Sequence, residues 1–258
     1  MTENIIAEDN KRLFALIGFP LSHSFSERYF TNKFQEEGID DAIFQSFSFE
    51  DINHIKTLVE TLPNFKGFAI TIPHKKVIIP FLDETTEEVK TMGACNCVCI
   101  SNGKLIGYNT DVVGFEKSFI KKLQPHHKKA LILGSGGAAA AVEFVLRKLQ
   151  IEYLFVSRNK NAESSNLTYD ELTPEIINTY SLVINTTPLG TFPKVDAAAN
   201  IPYHLLTPKH YLFDLVYNPA ETKFLRLGKE QGATTENGYE MLVLQAEENW
   251  KIWNNISR

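Results

Sequence analysis

The chain of 258 residues holds three cysteines, and all of them fall in one short run: Cys95, Cys97 and Cys99. Alternate residues of an extended strand project from one face about 6.6 Å apart. That exceeds the roughly 3.5–4.5 Å between Cβ atoms that a disulfide needs. A structural zinc site takes four ligands, usually with Cys-x₂₋₄-Cys spacing, and three cysteines at spacing two with no nearby histidine do not supply them. The run therefore reads as three small apolar side chains on one buried strand face. Asn96, lying among them, is expected to point the other way.

Long hydrophobic runs are also missing. No apolar segment approaches the ~20 residues that cross a bilayer, so no membrane association is expected. The N-terminal stretch MTENIIAEDNKRLFALIGFP places acids before a short apolar run, unlike a secretory signal. The expected location is the cytoplasm, where thiols stay reduced. An excess of positive charge is lacking too: 26 basic against 31 acidic residues give a net charge of −5 and a pI near 5.8. That argues against a nucleic-acid partner. The single compact basic run, His126 to Lys129, reads as a solvated loop. Internal repeats and low-complexity tracts are absent from the sequence, and its 43% hydrophobic and 22% charged residues are ordinary for a globular enzyme of one large or two modest domains.

What is present is an alternation of short strands and helices. RLFALIG, AIFQSFSF and FKGFAITIP read as strands. SERYFTNKFQEEG carries Tyr29, Phe30 and Phe34 at helical spacing and stops at Gly38. EDINHIKTLVETL puts Ile52, Ile55, Leu58 and Val59 on one helical face. This order implies a largely parallel α/β sheet. VVGFEKSFIKKL and the polar loop after it read as a linker. The pattern restarts with KALILGSGGAAAAVEFVLRKL, then the strands EYLFVSR, SLVINTTPLGTFP and HYLFDLVYNP, and the helices AETKFLRLGKEQG and YEMLVLQAEENWKIWNNI.

The strongest local motif is LILGSGGAA. Gly134, Gly136 and Ala139 fit G-x-G-x-x-A directly after a strand and at the start of a helix. Such glycines allow a tight turn and close backbone approach to a pyrophosphate, which the helix N-terminus attracts. The second strand of such a unit usually ends in an acid that binds the ribose hydroxyls of NAD. Here it ends Ser157-Arg158-Asn159-Lys160. Arg158 offers a charged donor fork that suits a 2′-phosphate, so NADP is favoured over NAD. In the first half, Ser22, His23, Ser24 and Ser26 follow one strand, Thr71 and Lys75 another, and Asn109, Thr110 and Asp111 come later. His23 and His74 read as exposed loop residues. The remaining groups suit a small polyhydroxylated acid bound beyond strand C-termini.

These motifs, GFPLSHSFS, GFAITIPHK, GACNCVCISNGKLIGYNTDVVGF, GSGGAA, INTTPLG, DLVYNPAETKFL and NGYEMLVLQAEENWKIW, occur in the order seen in shikimate dehydrogenases, and the chain resembles that family over almost its whole length. The resemblance implies an α/β fold with an N-terminal substrate domain, residues 1–111 completed by the helix 239–258, and a Rossmann-like NADP-binding domain, residues 112–238. It implies reversible reduction of 3-dehydroshikimate to shikimate in aromatic amino-acid (chorismate) biosynthesis, by a monomer or homodimer. Lys75 and Asp111 resemble the catalytic acid–base pair. Ser24 and Ser26 resemble the hydroxyls that hold the substrate carboxylate, with Tyr217 nearby, and Thr71, Asn96 and Gln245 the ring-hydroxyl contacts. Gly134, Ser135, Gly136, Gly137, Ala138, Ser157, Arg158, Asn159, Lys160, Leu215, Gly238 and, more loosely, Glu87 resemble the cofactor contacts. The chain departs from the family at Glu27 (for Pro), at Ala69 (for Asn) and in Ser157-Arg158-Asn159 (for Asn-Arg-Thr). The stretch NKNAESSNLTYDEL is too short for the family's helix and is expected to form a turn. Rival readings are a quinate/shikimate dehydrogenase with relaxed substrate or cofactor choice, a catalytically silent NADP-binding sensor, and a methylenetetrahydrofolate dehydrogenase of similar two-domain plan.

Overall fold

The computed structural model describes residues 10–21, 25–160 and 166–255. It divides into two compact units, residues 1–110 with 246–258, and residues 111–245. Asp111 and the first turns of the last helix thus group with the second unit.

The first unit runs β1 (Arg12–Gly18), α1 (Phe25–Glu37), β2 (Ala42–Ser48), α2 (His54–Thr61), β3 (Phe65–Ile70), α3 (His74–Val77), β4 (Glu84–Thr85), α4 (Glu87–Met92), β5 (Cys97–Ser101) and β6 (Lys104–Tyr108). Its six strands lie in the order β2-β1-β3-β5-β6-β4. β1 pairs in parallel with β2 and β3, but β5 runs antiparallel to both β3 and β6. The sheet is therefore mixed. The hairpin responsible turns at Asn102 (φ 50°) and Gly103 (φ 76°), the two positive-φ positions of a tight two-residue hairpin loop.

One face of this sheet is covered by the apolar side of α2, where Ile55 and Leu58 meet Leu13, Ile17 and Phe68. The other takes Phe30 and Phe34, one helical turn apart on α1, and the end of α9 (Tyr239–Trp253). Phe14 stacks on Trp253 at 5.1 Å and meets Trp250 edge-on at 5.3 Å. Trp253 also donates its indole N–H to the Val98 carbonyl at 3.0 Å. Such aromatic burial is worth several kcal/mol, so the last residues of α9 belong to this core.

The cysteines do not share one face. Cys97 and Cys99 pack with Phe14, Phe30 and Trp253, whereas Cys95 packs with Val98, Leu105 and Ile70 on the opposite side. Regular strand geometry begins only at Cys97, and the period-two alternation does not extend back to Cys95. All three are buried free thiols, and burial pushes the Cys99 thiol above its usual range.

The second unit contains α5 (Asp111–Phe119), β7 (Lys129–Leu133), α6 (Gly137–Lys148), β8 (Glu152–Ser157), β9 (Leu167–Thr168), α7 (Pro174–Thr179), β10 (Leu182–Asn185), β11 (Tyr211–Asp214), α8 (Lys223–Glu230) and β12 (Thr234–Glu236). The strands are all parallel, in the order β12-β11-β10-β7-β8-β9. Counted from β7, this is the order 3-2-1-4-5-6 of a doubly wound dinucleotide-binding sheet, whose direction reverses between β7 and β10. α5 is not a linker: Phe115 and Phe119 stack at 4.9 Å, and Phe119 lies 5.3 Å from Tyr211. The basic run before β7 is not wholly solvated either. His127 is buried, taking the Gln124 N–H on Nδ1 and contacting the Lys209 carbonyl with Nε2, and burial lowers its pKa. Between β8 and β9 the described residues contain no helix. The rest of that stretch, residues 161–165, lies outside the described residues.

Candidate active site

In the first unit Thr71 emerges at the carboxyl end of the parallel strand β3, where open α/β sheets bind ligands, and Asn96, just before the antiparallel β5, lies beside the same end. Thr71 follows β3, and its N–H donates to Ile17 O of β1 at 2.9 Å. The chain then turns into α3, which carries half-buried Lys75. The Lys75 carbonyl accepts the Cys95 N–H at 2.8 Å, and the Asn96 carbonyl accepts the Ile70 N–H at 2.8 Å. These bonds gather Thr71, Lys75 and Asn96 at one end of the sheet. His74, expected in an exposed loop, is buried, with Nε2 2.8 Å from the Phe49 carbonyl. Ser26 is buried in the first turn of α1. Ser22, His23 and Ser24 lie outside the described residues.

Asn96 is the most constrained of these groups. Its Oδ1 accepts the Thr110 N–H at 2.7 Å, and its Nδ2 donates to Thr110 Oγ1 at 3.1 Å. The Thr110 hydroxyl donates in turn to Asn249 Oδ1 at 2.6 Å. All three residues are buried. Asn96 thus fixes the turn that leads into Asp111, which opens α5 and is itself buried. Asn249 was not legible as a site residue; the only signal would have been an amide on the apolar side of a helix. Glu87 is different. It is exposed in the first turn of α4 and paired with Lys90 at 2.6 Å.

In the second unit the glycine turn leaves β7 at the point where the sheet reverses. Gly134 has φ +97°, and a Cβ there would lie 2.8 Å from Thr187 Cγ2, so this position needs glycine for the fold itself. Ala139 is buried against the sheet. Gly136 and Gly137 contrast with Gly134: a Cβ at either meets no atom within 4 Å. Gly136 is the N-cap of α6, and no side chain caps it. Ser135 and Ala138 flank these two positions, leaving an open backbone cradle at a helix N-terminus, the arrangement that receives a pyrophosphate.

The turn after β8 displays Arg158 with Ser157, Asn159 and Lys160. Ser157 Oγ donates to the Asn159 carbonyl at 2.7 Å, and buried Asn166 donates to both Ser157 Oγ (2.5 Å) and the Asn159 carbonyl (3.0 Å). Lys160 pairs with Glu171 at 2.5 Å, which holds that carboxyl below its usual range. Tyr169 is raised by burial and partly offset by the Arg158 charge. Leu215 and Gly238 are brought together: a Cβ on Gly238 would lie 2.1 Å from Leu215 O, and its N–H donates to Val216 O at 3.2 Å. Tyr217 is half-buried on the same loop. Gln245 is buried, with Nε2 donating to Leu242 O at 3.0 Å. The described residues hold no His, Cys, Asp or Glu group suited to a metal ion, and no described helix is long and apolar enough to cross a membrane.

A doubly wound unit with an open glycine cradle, joined to a mixed-sheet unit with polar groups at its strand ends, defines the class: a two-unit α/β oxidoreductase that uses a dinucleotide. Residues 16–98 match the model of the shikimate dehydrogenase substrate binding domain. The chain is 35% identical over 254 residues to the shikimate dehydrogenase (NADP(+)) of Methanosphaera stadtmanae, covering 92% of this chain and 89% of that one. The solved shikimate dehydrogenase from Aquifex aeolicus superposes with a TM-score of 0.84 at 32% identity, over 96% of this chain and 94% of that one. The shikimate 5-dehydrogenase of Thermus thermophilus, solved with NADP(H) and shikimate, gives 0.82 at 27% identity, over 95% and 94%. The chain belongs to the shikimate dehydrogenase family.

Proposed function

We propose that the chain is an NADP-dependent shikimate dehydrogenase that interconverts 3-dehydroshikimate and shikimate in aromatic amino-acid biosynthesis. Its family membership supports this reading, and the observation that carries it in the structure is the open cradle at Gly136 and Gly137, which fits a dinucleotide. The cofactor, when bound, supplies or accepts the hydride. Gly134, Ser135, Gly136, Gly137 and Ala138 hold its pyrophosphate, and Ser157, Arg158, Asn159 and Lys160 hold its 2′-phosphate. Leu215 and Gly238 form the wall at its other end. Glu87, exposed and paired with Lys90, is the loosest member of this set.

On the substrate side, Ser24 and Ser26 bind the carboxylate, with Tyr217, while Thr71, Asn96 and Gln245 bind ring hydroxyls. As the carbonyl is reduced, its oxygen gains negative charge. The Lys75 ammonium stabilises that charge, and Lys75 with Asp111 delivers the proton. The enzyme works in the cytoplasm as a monomer or homodimer. Steady-state kinetics with shikimate and quinate, each with NADP and NAD, test the assignment. A preference for shikimate with NADP is expected; a preference for quinate with NAD would refute it.

A further inference from the structure

A buried carboxylate at the end of β11, two strands from the glycine turn, has no part in the roles assigned so far. Asp214 ends β11 opposite Asn185, the last residue of β10, and both are completely buried. Its Oδ1 accepts from Asn185 Nδ2 at 2.8 Å and from the Val216 N–H at 3.0 Å. Its Oδ2 accepts from Thr222 Oγ1 at 2.5 Å. No cation is among these partners. Burial pushes the Asp214 carboxyl up to about 6, against the pull of Thr222, Val216 and Asn185. Keeping such a group ionised at neutral pH works against stability.

The network reaches three loops. Asn185 Oδ1 accepts from the N–H of Thr187 at 3.1 Å and from its hydroxyl at 2.6 Å. Thr187 is the residue against which Gly134 packs, and Thr186 ties back to Leu133 O through its N–H and hydroxyl. The Asn185 carbonyl also accepts the Leu215 N–H at 3.0 Å. Val216, held by Asp214 through its N–H, accepts the Gly238 N–H on its carbonyl. The glycine turn, the 186–189 loop and the 215–217 loop with Gly238 are therefore all linked, directly or through one partner, to a single carboxylate.

We propose that Asp214 is the positioning residue of the cofactor site, its carboxylate locking the loops that carry Gly134, Thr187, Leu215 and Gly238 into the one arrangement that receives the dinucleotide. The assignment rests on the reading of this unit as the cofactor site, but it does not depend on the identity of the substrate. It predicts a loss shared by both cofactors, because these loops do not include the Arg158 turn that distinguishes them.

The test is direct titration of NADPH and NADH fluorescence on the protein and its variants, with shikimate binding followed separately by intrinsic fluorescence. Asp214→Ala should weaken both cofactors alike by about tenfold or more, the scale of one orphaned buried hydrogen bond, and weaken shikimate binding much less, because Tyr217 is the one substrate contact on these loops. Asp214→Asn should recover most of that loss, because its amide oxygen can accept from Val216 and Asn185 while the Thr222 hydroxyl turns to accept from its NH₂. Thr222→Val, which removes one donor and the N-cap of α8 but leaves the carboxylate, keeps the question answerable if Asp214→Ala does not fold. It should weaken both cofactors about threefold, a fraction of one hydrogen bond, and speed hydrogen exchange at the Val216 amide. A folded Asp214→Ala with unchanged cofactor affinity, a loss not recovered by Asp214→Asn, or an equal loss of shikimate binding would each overturn the assignment. Because cofactor binding is read without turnover, a wild-type protein that binds NADPH but does not oxidise shikimate would count against the proposed activity alone.

Discussion

Replacing Gly136 by alanine separates a glycine kept for a ligand from one kept for the fold. The backbone there has φ −78° and ψ −175°, a conformation open to any residue, and the added methyl meets no protein atom within 4 Å. Alanine should therefore stabilise the unliganded protein slightly, by about 0.4–1 kcal/mol through the unfolded chain. For a chain of this size that raises Tm by about 1–4 °C. The same methyl stands where a pyrophosphate must approach the first N–H groups of α6. Pushing it off one charge-assisted hydrogen bond costs about 1.5–3 kcal/mol, a roughly 10- to 150-fold weaker Kd for NADPH. Gly134→Ala, two residues earlier, should do the reverse to stability. Its φ of +97° and its 2.8 Å approach to Thr187 Cγ2 predict a loss of about 1–3 kcal/mol. Differential scanning calorimetry and NADPH fluorescence titration on both variants give the answer. A Gly136→Ala protein that binds NADPH as well as wild type would show that the cradle receives no phosphate, and a lowered Tm would show that the space around Gly136 has been misread.

Other substitutions address the remaining chemistry. Lys75→Ala should lower kcat by about 10²–10⁴, the scale of a lost general acid, with NADPH affinity nearly unchanged; a near-wild-type kcat in steady-state assays removes Lys75 from the mechanism. Arg158→Ala should cost NADPH about 1.5–3 kcal/mol of binding and NADH almost nothing, and equal losses for both would make Arg158 structural. Asp214→Asn should stabilise the fold at neutral pH. A carboxyl raised from 3.8 to about 6 costs about 3 kcal/mol when fully ionised, at 1.36 kcal/mol per pH unit. Since the folded state binds the extra proton between those two values, wild-type stability rises as pH falls from about 6 to 4, and the gap to the variant closes there. Tyr203, raised by burial and then by the Asp214 charge, is a titratable group near it. Urea unfolding at pH 7, 5 and 4 measures the gap, and equal stability at pH 7 refutes it. Replacing Cys95, Cys97 and Cys99 together by Val or Ala should keep most activity and cost about 1–3 kcal/mol by repacking; a folded but dead triple variant would return the thiols to the chemistry.

The strands and helices were legible because their signals are local. Phe30 and Phe34 repeat at helical spacing, and the glycine turn announces both the end of β7 and the start of α6. The mixed sheet has a signal in the sequence: Asn102-Gly103 between apolar runs is a hairpin turn, which makes β5 and β6 antiparallel to each other. The cysteine face has no such signal. Alternation predicts a shared face only inside a regular strand, and the pairing of β5 with β3 and β6 begins at Cys97, a boundary that composition does not mark. Residue type alone marks His127 and His74 as exposed, whereas each is buried and meets a carbonyl distant in sequence, at Lys209 and Phe49.

The candidate site divides along the same line. Lys75, Asp111, Asn96 and the glycines stand in motifs, and a motif is a local object. Asp214 and Asn185 are not visible that way. Each ends an apolar strand, YLFD and LVIN, where a polar residue reads as the start of a loop. What makes them a site is register: β10 and β11 pair so that Asn185 lies opposite Asp214, with Thr222 arriving from the start of α8. A buried carboxylate without a cation runs against the general rule for acidic side chains, and it weakens the fold near neutral pH. Three donors satisfy its oxygens: Val216 lies in a loop beside the cradle, Asn185 ends the strand that leads into another, and Thr222 caps α8. A hydrophobic replacement would relieve the buried charge but orphan the Val216 N–H, the Asn185 amide and the Thr222 hydroxyl at once. The carboxylate is therefore explained by what it holds in place and not by any stability it adds, so a side chain that costs the second unit stability near neutral pH bears on the function proposed for that unit.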